Sequence, residues 1–199
     1  SKKLKQIVNQ LKKSLTNWDI EKAIKNSVDE AQTRDNLIHP FLDLLSYEKM
    51  DDYSHEFIAD MGEKKGKKVD VAIFLGKKNP AILVECKKAT AKLTEINFRQ
   101  LNEYCLYTPS AKIGILTNGI IYNFYSRSND SNTILNEKPF FVFDLSKYET
   151  SDLDMLALFY KQAIEINDIL LEAEEIHFIE NFDKAFFETL RNPSSDFIK

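Results

Sequence analysis

Lys68-Val69-Asp70-Val71-Ala72-Ile73-Phe74-Leu75, Gly76-Lys77-Lys78-Asn79-Pro80 and Ala81-Ile82-Leu83-Val84-Glu85-Cys86-Lys87 are the consecutive segments on which the reading of this chain turns. The outer two are runs of apolar and β-branched residues. The middle one, with Gly, Asn and Pro, is a compact turn, so the runs should pair as antiparallel strands. Side chains alternate between the two faces of a strand. Val69, Val71, Ile73 and Leu75 therefore share one side, and Asp70, Ala72 and Phe74 the other. On the second run Ala81, Leu83, Glu85 and Lys87 share a side, opposite Ile82, Val84 and Cys86. Folding the hairpin about Lys77 and Lys78 sets Asp70 against Glu85, at the ~4.5–5.5 Å Cβ separation of facing residues. Two carboxylates and an ammonium then meet at one end of an otherwise apolar hairpin.

Moving outward, a strand is expected at Ser54–Asp60 before the hairpin. After it, helical spacing runs from Leu93 to Tyr107 through Ile96, Leu101, Tyr104 and Cys105. Strands Lys112–Thr117 and Ile120–Ser126 follow, joined by Asn118-Gly119, a strong short hairpin signal. Phe140–Asp144 is a further strand. Upstream, residues 3–15 carry Leu4, Ile7, Val8, Leu11 and Leu15 on one helical stripe. Thr16 and Asp19 open a short helix to about Asn26. Ser27 with Glu30 reads as a capping box for a third helix ending near Leu45, which Pro40 should kink or split. Downstream, Ser151 with Asp154 caps a helix through Leu153, Phe159, Ala163 and Leu170. A second one, through Ile176, Ile179, Phe182, Phe186 and Leu190, is expected to pack back on it. The tail ends with Phe197 and Ile198 without an evident packing partner, which points to a longer natural protein.

The 199 residues suit one domain, and 43% hydrophobic with 12% aromatic residues can fill a core. No apolar run approaches the ~20 residues of a membrane span, and the polar N-terminus lacks a signal peptide's apolar centre. Ser1 is not a natural start residue. Cys86 and Cys105 fit no disulfide framework or zinc spacing, which suits a reducing, cytoplasmic setting. His39, His55 and His177 are isolated in sequence, and Gly62, Gly66 and Gly76 make no phosphate-binding loop. A net charge of −4 is unlike most nucleic-acid binders. Lysines nonetheless cluster at Lys64, Lys65, Lys67 and Lys68, at Lys77 and Lys78, and at Lys87, Lys88 and Lys92, while acids gather at Glu172, Glu174, Glu175 and Glu180.

The chemistry favoured by Asp70, Glu85 and Lys87 is hydrolysis of a phosphodiester. A hard cation such as Mg²⁺ takes oxygen ligands, so one or two carboxylates plus substrate phosphate suffice to hold it. Asp70 and Glu85 are the metal ligands in this reading. Lys87 would orient or help deprotonate the attacking water and offset phosphate charge. Buried carboxylates without a cation repel each other, which raises a pKa. The bland alternative is a surface salt bridge from Lys87 to Asp70 or Glu85 at a strand end.

Val69-Asp70-Val71-Ala72-Ile73 followed by Ile82-Leu83-Val84-Glu85-Cys86-Lys87-Lys88 resembles the signature of PD-(D/E)xK nucleases. More narrowly, it resembles the N-terminal nuclease domain of type I restriction enzyme R subunits and their stand-alone or prophage-borne relatives. Glu30, Thr33-Arg34 and Ile38-His39-Pro40-Phe41-Leu42 support this upstream. Gln100-Leu101-Asn102-Glu103-Tyr104 and Gly114-Ile115-Leu116-Thr117-Asn118-Gly119 support it downstream. The ordered match runs from about Asp29 to Leu145. It departs from the strict Pro-Asp pair with Val69-Asp70, as is usual in this subgroup.

The resemblance implies an α/β fold: a restriction-endonuclease-like core with a mixed central sheet flanked by helices, plus N- and C-terminal helical extensions. All lie in a single domain, with helices over 1–46, the core over 47–146 and the C-terminal extension over 147–199. It implies DNA as substrate, Mg²⁺ as cofactor with Mn²⁺ able to substitute, and a homodimer or larger restriction-type complex. No nucleotide-driven motor is encoded here. Gln100 and Tyr104, one turn apart, would fix substrate phosphate or catalytic geometry; the alternative is a helix Gln bonded to a nearby carbonyl. Glu30 either contacts the metal through water or serves as a capping residue paired with Arg34. Two rivals stay open: a catalytically silent module binding DNA or protein, and a repair or recombination nuclease acting on ends or junctions.

Overall fold

The Lys68–Lys87 hairpin lies inside a six-stranded mixed sheet. The computed structural model describes residues 1–58, 68–128 and 134–191. Lys64, Lys65 and Lys67, the end of the first expected strand and the tail from residue 192 lie outside these residues. The strands are β1 (Tyr53–Ile58), β2 (Lys68–Ile73), β3 (Ile82–Cys86), β4 (Ile113–Thr117), β5 (Ile121–Ser126) and β6 (Phe141–Asp144), and they stand side by side in chain order. All neighbours are antiparallel except β3 and β4, which are parallel. A parallel pair needs a crossover. The helix expected after Lys87 supplies it, as Glu95–Leu106.

The helices are α1 (Lys2–Asn17), α2 (Ile20–Lys25), α3 (Glu30–Thr33), α4 (His39–Leu44), α5 (Glu95–Leu106), α6 (Thr150–Leu156) and α7 (Ile166–Arg191). The larger core lies between one sheet face and α1, α4, α6 and the start of α7. Ile7, Leu11 and Leu15 of α1 are buried there, and Phe41 stacks on Tyr122 with ring centroids 3.8 Å apart. The opposite face carries a smaller core, in which Leu101, Tyr104 and Cys105 of α5 cover Val69, Ala72, Leu83 and Leu116. Alternation therefore places most hairpin side chains as expected, with two exceptions. Val69 lies with Ala72 rather than with Val71. Ala81 packs in the larger core because it precedes the regular part of β3.

One helical expectation is corrected, and another holds in a particular form. Ser27 does not cap the third helix: its hydroxyl donates to the Ala23 carbonyl at 2.7 Å. Asp29 is the cap, its carboxylate accepting from Gln32 N–H at 2.7 Å, so Glu30 belongs to the first turn without a capping role. The split expected at Pro40 takes the form of a π-helical turn, Arg34–Ile38, between α3 and α4. The His39 N–H reaches back to the Arg34 carbonyl, and the widened turn accommodates a proline that offers no donor.

At the C-terminal end, α6 is capped by Glu149 and Asp152 rather than by Ser151. It passes into a 3₁₀ turn, Ala157–Phe159, and stops. The expected helix through Leu170 is broken there because tertiary bonds take over the backbone. Tyr47 Oη donates to the Phe159 carbonyl at 2.8 Å, and Lys161 N–H donates to Leu45 at 3.0 Å. Helix α7 is then a single 26-residue helix, where two helices packing on each other were expected.

Candidate active site

The β2–β3 register pairs Val71 with Val84, Ala72 with Leu83 and Ile73 with Ile82. One step further on, Asp70 comes beside Glu85, as folding about Lys77 and Lys78 requires. There the backbone ladder stops and a side chain takes its place: Asp70 Oδ2 accepts from Cys86 N–H at 2.7 Å. On the other flank β1 is irregular, with Glu56 at φ +51° between the pairs His55–Val71 and Phe57–Val69. The carboxylate of Asp70 is thus fixed by main chain at a point where the sheet is locally distorted.

Lys87 Nζ donates to Glu85 Oε1 at 2.6 Å and, more weakly, to Gln100 Oε1 at 3.4 Å. Gln100 Nε2 in turn donates to Tyr104 Oη at 3.2 Å. A continuous polar chain therefore runs from α5 to the end of β3. Its foundations are rigid. Lys87 N–H donates to the Thr117 carbonyl at 2.8 Å, and Ala89 N–H to Thr33 Oγ1 at 2.9 Å. Asn118 Nδ2 holds the Ala91 carbonyl at 2.9 Å. The turn at Gly119, with φ +80°, lets α3 lie directly on it, since an added Cβ would stand 2.9 Å from Thr33 Cγ2 and from Leu37 Cβ. That contact sets Arg34 over the sheet end, 4.0 Å from Asp70 Oδ1.

Glu85 is only 2% exposed, and its Oε2 has no hydrogen-bond partner among the described residues. Burial, then the neighbouring charge of Asp70, pushes its carboxyl up to about 7 despite the Lys87 contact. Asp70 is also raised, by burial first, against the lowering effect of the Cys86 N–H. For Lys87, burial acts downward but the Glu85 contact and the other carboxylates outweigh it, so its ammonium is held more firmly than usual. Glu30 makes no close contact here, yet its charge reaches Asp70, Glu85 and Lys87. Among the described residues no cluster of three or more His, Cys, Asp or Glu stands close enough to hold a metal ion. The site offers two carboxylates directly, with Glu30 further out.

Asp70, Glu85, Lys87, Gln100 and Tyr104 are thus brought together. Sequence reading missed three neighbours. Arg34 was matched to Glu30 by helical spacing, yet its ion pair is with Asp70. His39 and His55 are isolated only in sequence, since their rings lie 4.5 Å apart beside this edge. Burial, then the charges of His39, Lys49 and Arg34, lowers His55 to about 4. Pairing of β1 with β2 creates these proximities, and no motif signals them. Of the lysine clusters, Lys88 and Lys92 follow the site directly, whereas Lys77 and Lys78 lie at the far end of the hairpin.

A family model described as type I restriction enzyme R protein N terminus matches residues 29–139, more than half of the chain. The chain belongs to that family. Comparison with curated proteins and with solved structures gives no match. The family match takes in α3 to β5, so every residue of the polar constellation falls inside this R-protein N-terminal domain. Helices α1, α2, α6 and α7 and strand β6 lie outside it. The α/β architecture, a mixed sheet flanked by helices, is the one this domain family implies. No described helix is long and apolar enough to cross a membrane.

Proposed function

We propose that this domain is a metal-dependent endonuclease that hydrolyses DNA phosphodiester bonds. The observation that carries the proposal is the buried Glu85 Oε2, without a hydrogen-bond partner among the described residues, beside the Asp70 carboxylate, both groups being harder to ionise than in water. Such a pair is stabilised by a hard divalent cation, and oxygen donors without sulfur or imidazole suit Mg²⁺ or Mn²⁺. Asp70 and Glu85 would hold the ion, with Glu30 acting on it through water. When bound, it would polarise the phosphoryl oxygen and neutralise developing charge.

The chain's own groups divide the remaining work. The Cys86 N–H and Arg34 fix Asp70, one carboxylate oxygen accepting from the main chain and the other lying 4.0 Å from Arg34. Lys87 is held as an ammonium, which favours its orienting the water and countering phosphate charge over its acting as a base. Gln100 and Tyr104 keep that ammonium aimed at the strand end, so they are positioning residues. DNA is the substrate suggested by the family, with Lys87, Lys88 and Lys92 as the nearest positive charge.

Two observations favour a second reading, a silent nuclease-fold module that binds DNA or protein: the net charge is −4, and the Lys77/Lys78 cluster lies at the end of the hairpin opposite the carboxylates. Calorimetric titration with Mg²⁺ and Mn²⁺ separates the two. The endonuclease reading predicts one site whose affinity collapses in Asp70→Asn and Glu85→Gln. Absence of binding to the wild type in the presence of DNA would support the silent module.

A further inference from the structure

The net charge of −4 conceals a steep asymmetry. Residues 1–28 hold seven lysines against two acids, Asp19 and Glu21, a net +5 that leaves −9 on the rest of the chain. Such imbalance between parts of one chain points to an anionic partner. Five of the lysines are on α1, which has no acid at all. At ~100° of rotation per residue, Lys2, Lys5, Asn9, Lys12, Lys13 and Thr16 form a stripe roughly 100° wide, centred about 150° round from buried Ile7, Leu11 and Leu15. All six are exposed. None of these four lysines makes an ion pair among the described residues. The fifth, Lys3, turns off the stripe to donate to the Gln162 carbonyl.

Helix stability does not account for the pattern. Lys2, Lys3 and Lys5 crowd the N-terminal turn, where the macrodipole disfavours cations, and no acid there offsets them. Lys2 and Lys5 are also neighbours at i and i+3, where like charges repel. The last turn, where a lysine would help, holds none. The stripe is connected to the site through α2. Only Trp18 and Asp19 separate α1 from α2, which adds the exposed Lys22 and Lys25. Asn36 Nδ2, two residues beyond Arg34, donates to the Asn26 carbonyl at 3.1 Å. The turn that brings Arg34 to Asp70 therefore also holds the end of α2.

We infer that the lysine face of α1 and α2 binds the phosphate backbone of duplex DNA beside the catalytic constellation, an inference that rests on the DNA-directed reading above. Lys2 and Lys13 stand about 16 Å apart along the helix axis, which spans roughly five phosphates of one strand. Ammonium groups and the Asn9 amide donate to phosphate oxygens without reading bases, so the surface supplies affinity and orientation rather than sequence choice. An anionic membrane is a poorer fit. A helix lying on a bilayer lowers its apolar face into it, and the apolar face of α1 is buried in the larger core. Only Lys, Gln, Asn, Ser and Thr are fully exposed on α1, so no apolar anchor is left.

Fluorescence anisotropy of a labelled duplex of about 24 bp, titrated with the full chain in EDTA over about 25–150 mM KCl, tests this. EDTA removes metal-dependent cleavage from the readout. Wild-type affinity should fall steeply with salt. In Lys5→Gln/Lys12→Gln/Lys13→Gln the slope of log K against log[salt] should drop in magnitude by about 3, near one for each lysine, and equally for duplexes of different sequence. Gln has nearly the helix propensity of Lys, so this variant should melt at the wild-type temperature. Lys77→Gln/Lys78→Gln, at the far end of the β2–β3 hairpin, should leave the slope unchanged. Four results would each overturn the inference: no wild-type binding, an unchanged slope in the triple variant, a comparable drop in the Lys77/Lys78 variant, or lysine-dependent binding to phosphatidylserine vesicles in place of duplex. Plasmid nicking separates it from the reading it rests on. An unchanged slope with metal-dependent nicking intact overturns the inference alone, and the expected slope without nicking overturns the nuclease reading alone.

Discussion

Replacing Glu85 by Gln should stabilise the metal-free protein above neutral pH. The buried carboxyl has a folded pKa of about 7 against an ordinary 4.5, so the folded state holds its proton more tightly than the unfolded state does. Stability from this group is complete below the unfolded value. It declines as pH rises from about 4.5 to about 7 and is absent above that. A gap of this size corresponds to about 3 kcal/mol. Gln mimics the protonated carboxyl, so the variant should match the wild type near pH 4 and exceed it by about 3 kcal/mol at pH 8. Urea denaturation in EDTA across this range, followed as the difference between the two proteins, isolates Glu85 from other titrations. Adding Mg²⁺ at pH 8 should raise the wild type and leave the variant unchanged, because binding to the folded state alone adds stability. A variant no more stable than the wild type at pH 8, or a difference that does not vary with pH, would refute the electrostatic account of the site.

Three further outcomes follow from the geometry. Gly119→Ala should destabilise the fold by about 1–3 kcal/mol in urea, since it combines a positive φ with a Cβ pressed into Thr33 and Leu37. Tyr47→Phe leaves the Phe159 carbonyl without its donor in the core and should cost about 1–3 kcal/mol by the same measurement. His55, lowered to about 4 by burial, contributes stability that is complete above its ordinary 6.5 and falls as pH drops towards 4. His55→Leu should therefore flatten the acid limb of the stability profile, seen as a smaller loss of melting temperature between pH 6.5 and pH 4 than in the wild type.

The sheet was legible because its signals are local. The turn from Gly76 to Pro80 and the Asn118-Gly119 pair each fixed a hairpin, and alternation along β2 and β3 then aligned Asp70 with Glu85. Gln100 and Tyr104 could be placed because helical spacing puts them on one face of α5. What escaped depends on partners distant in sequence. Arg34 turns to Asp70 because Gly119 allows α3 to settle on the β4–β5 turn. His39 meets His55 only because β1 pairs with β2. The break after Phe159 has no proline or glycine to announce it, since Tyr47 and Leu45, more than a hundred residues upstream, hold the backbone there. The capping error at Ser27 has another cause: Ser27 and Asp29 both suit a helix start, and the Ser27 hydroxyl is taken by the preceding helix.

Cleavage of supercoiled plasmid with Mg²⁺ or Mn²⁺, comparing the wild type with Lys87→Ala and Asp70→Ala, tests the central claim most directly. The account predicts metal-dependent nicking by the wild type that both variants lose. Cleavage by Lys87→Ala at the wild-type rate would contradict it.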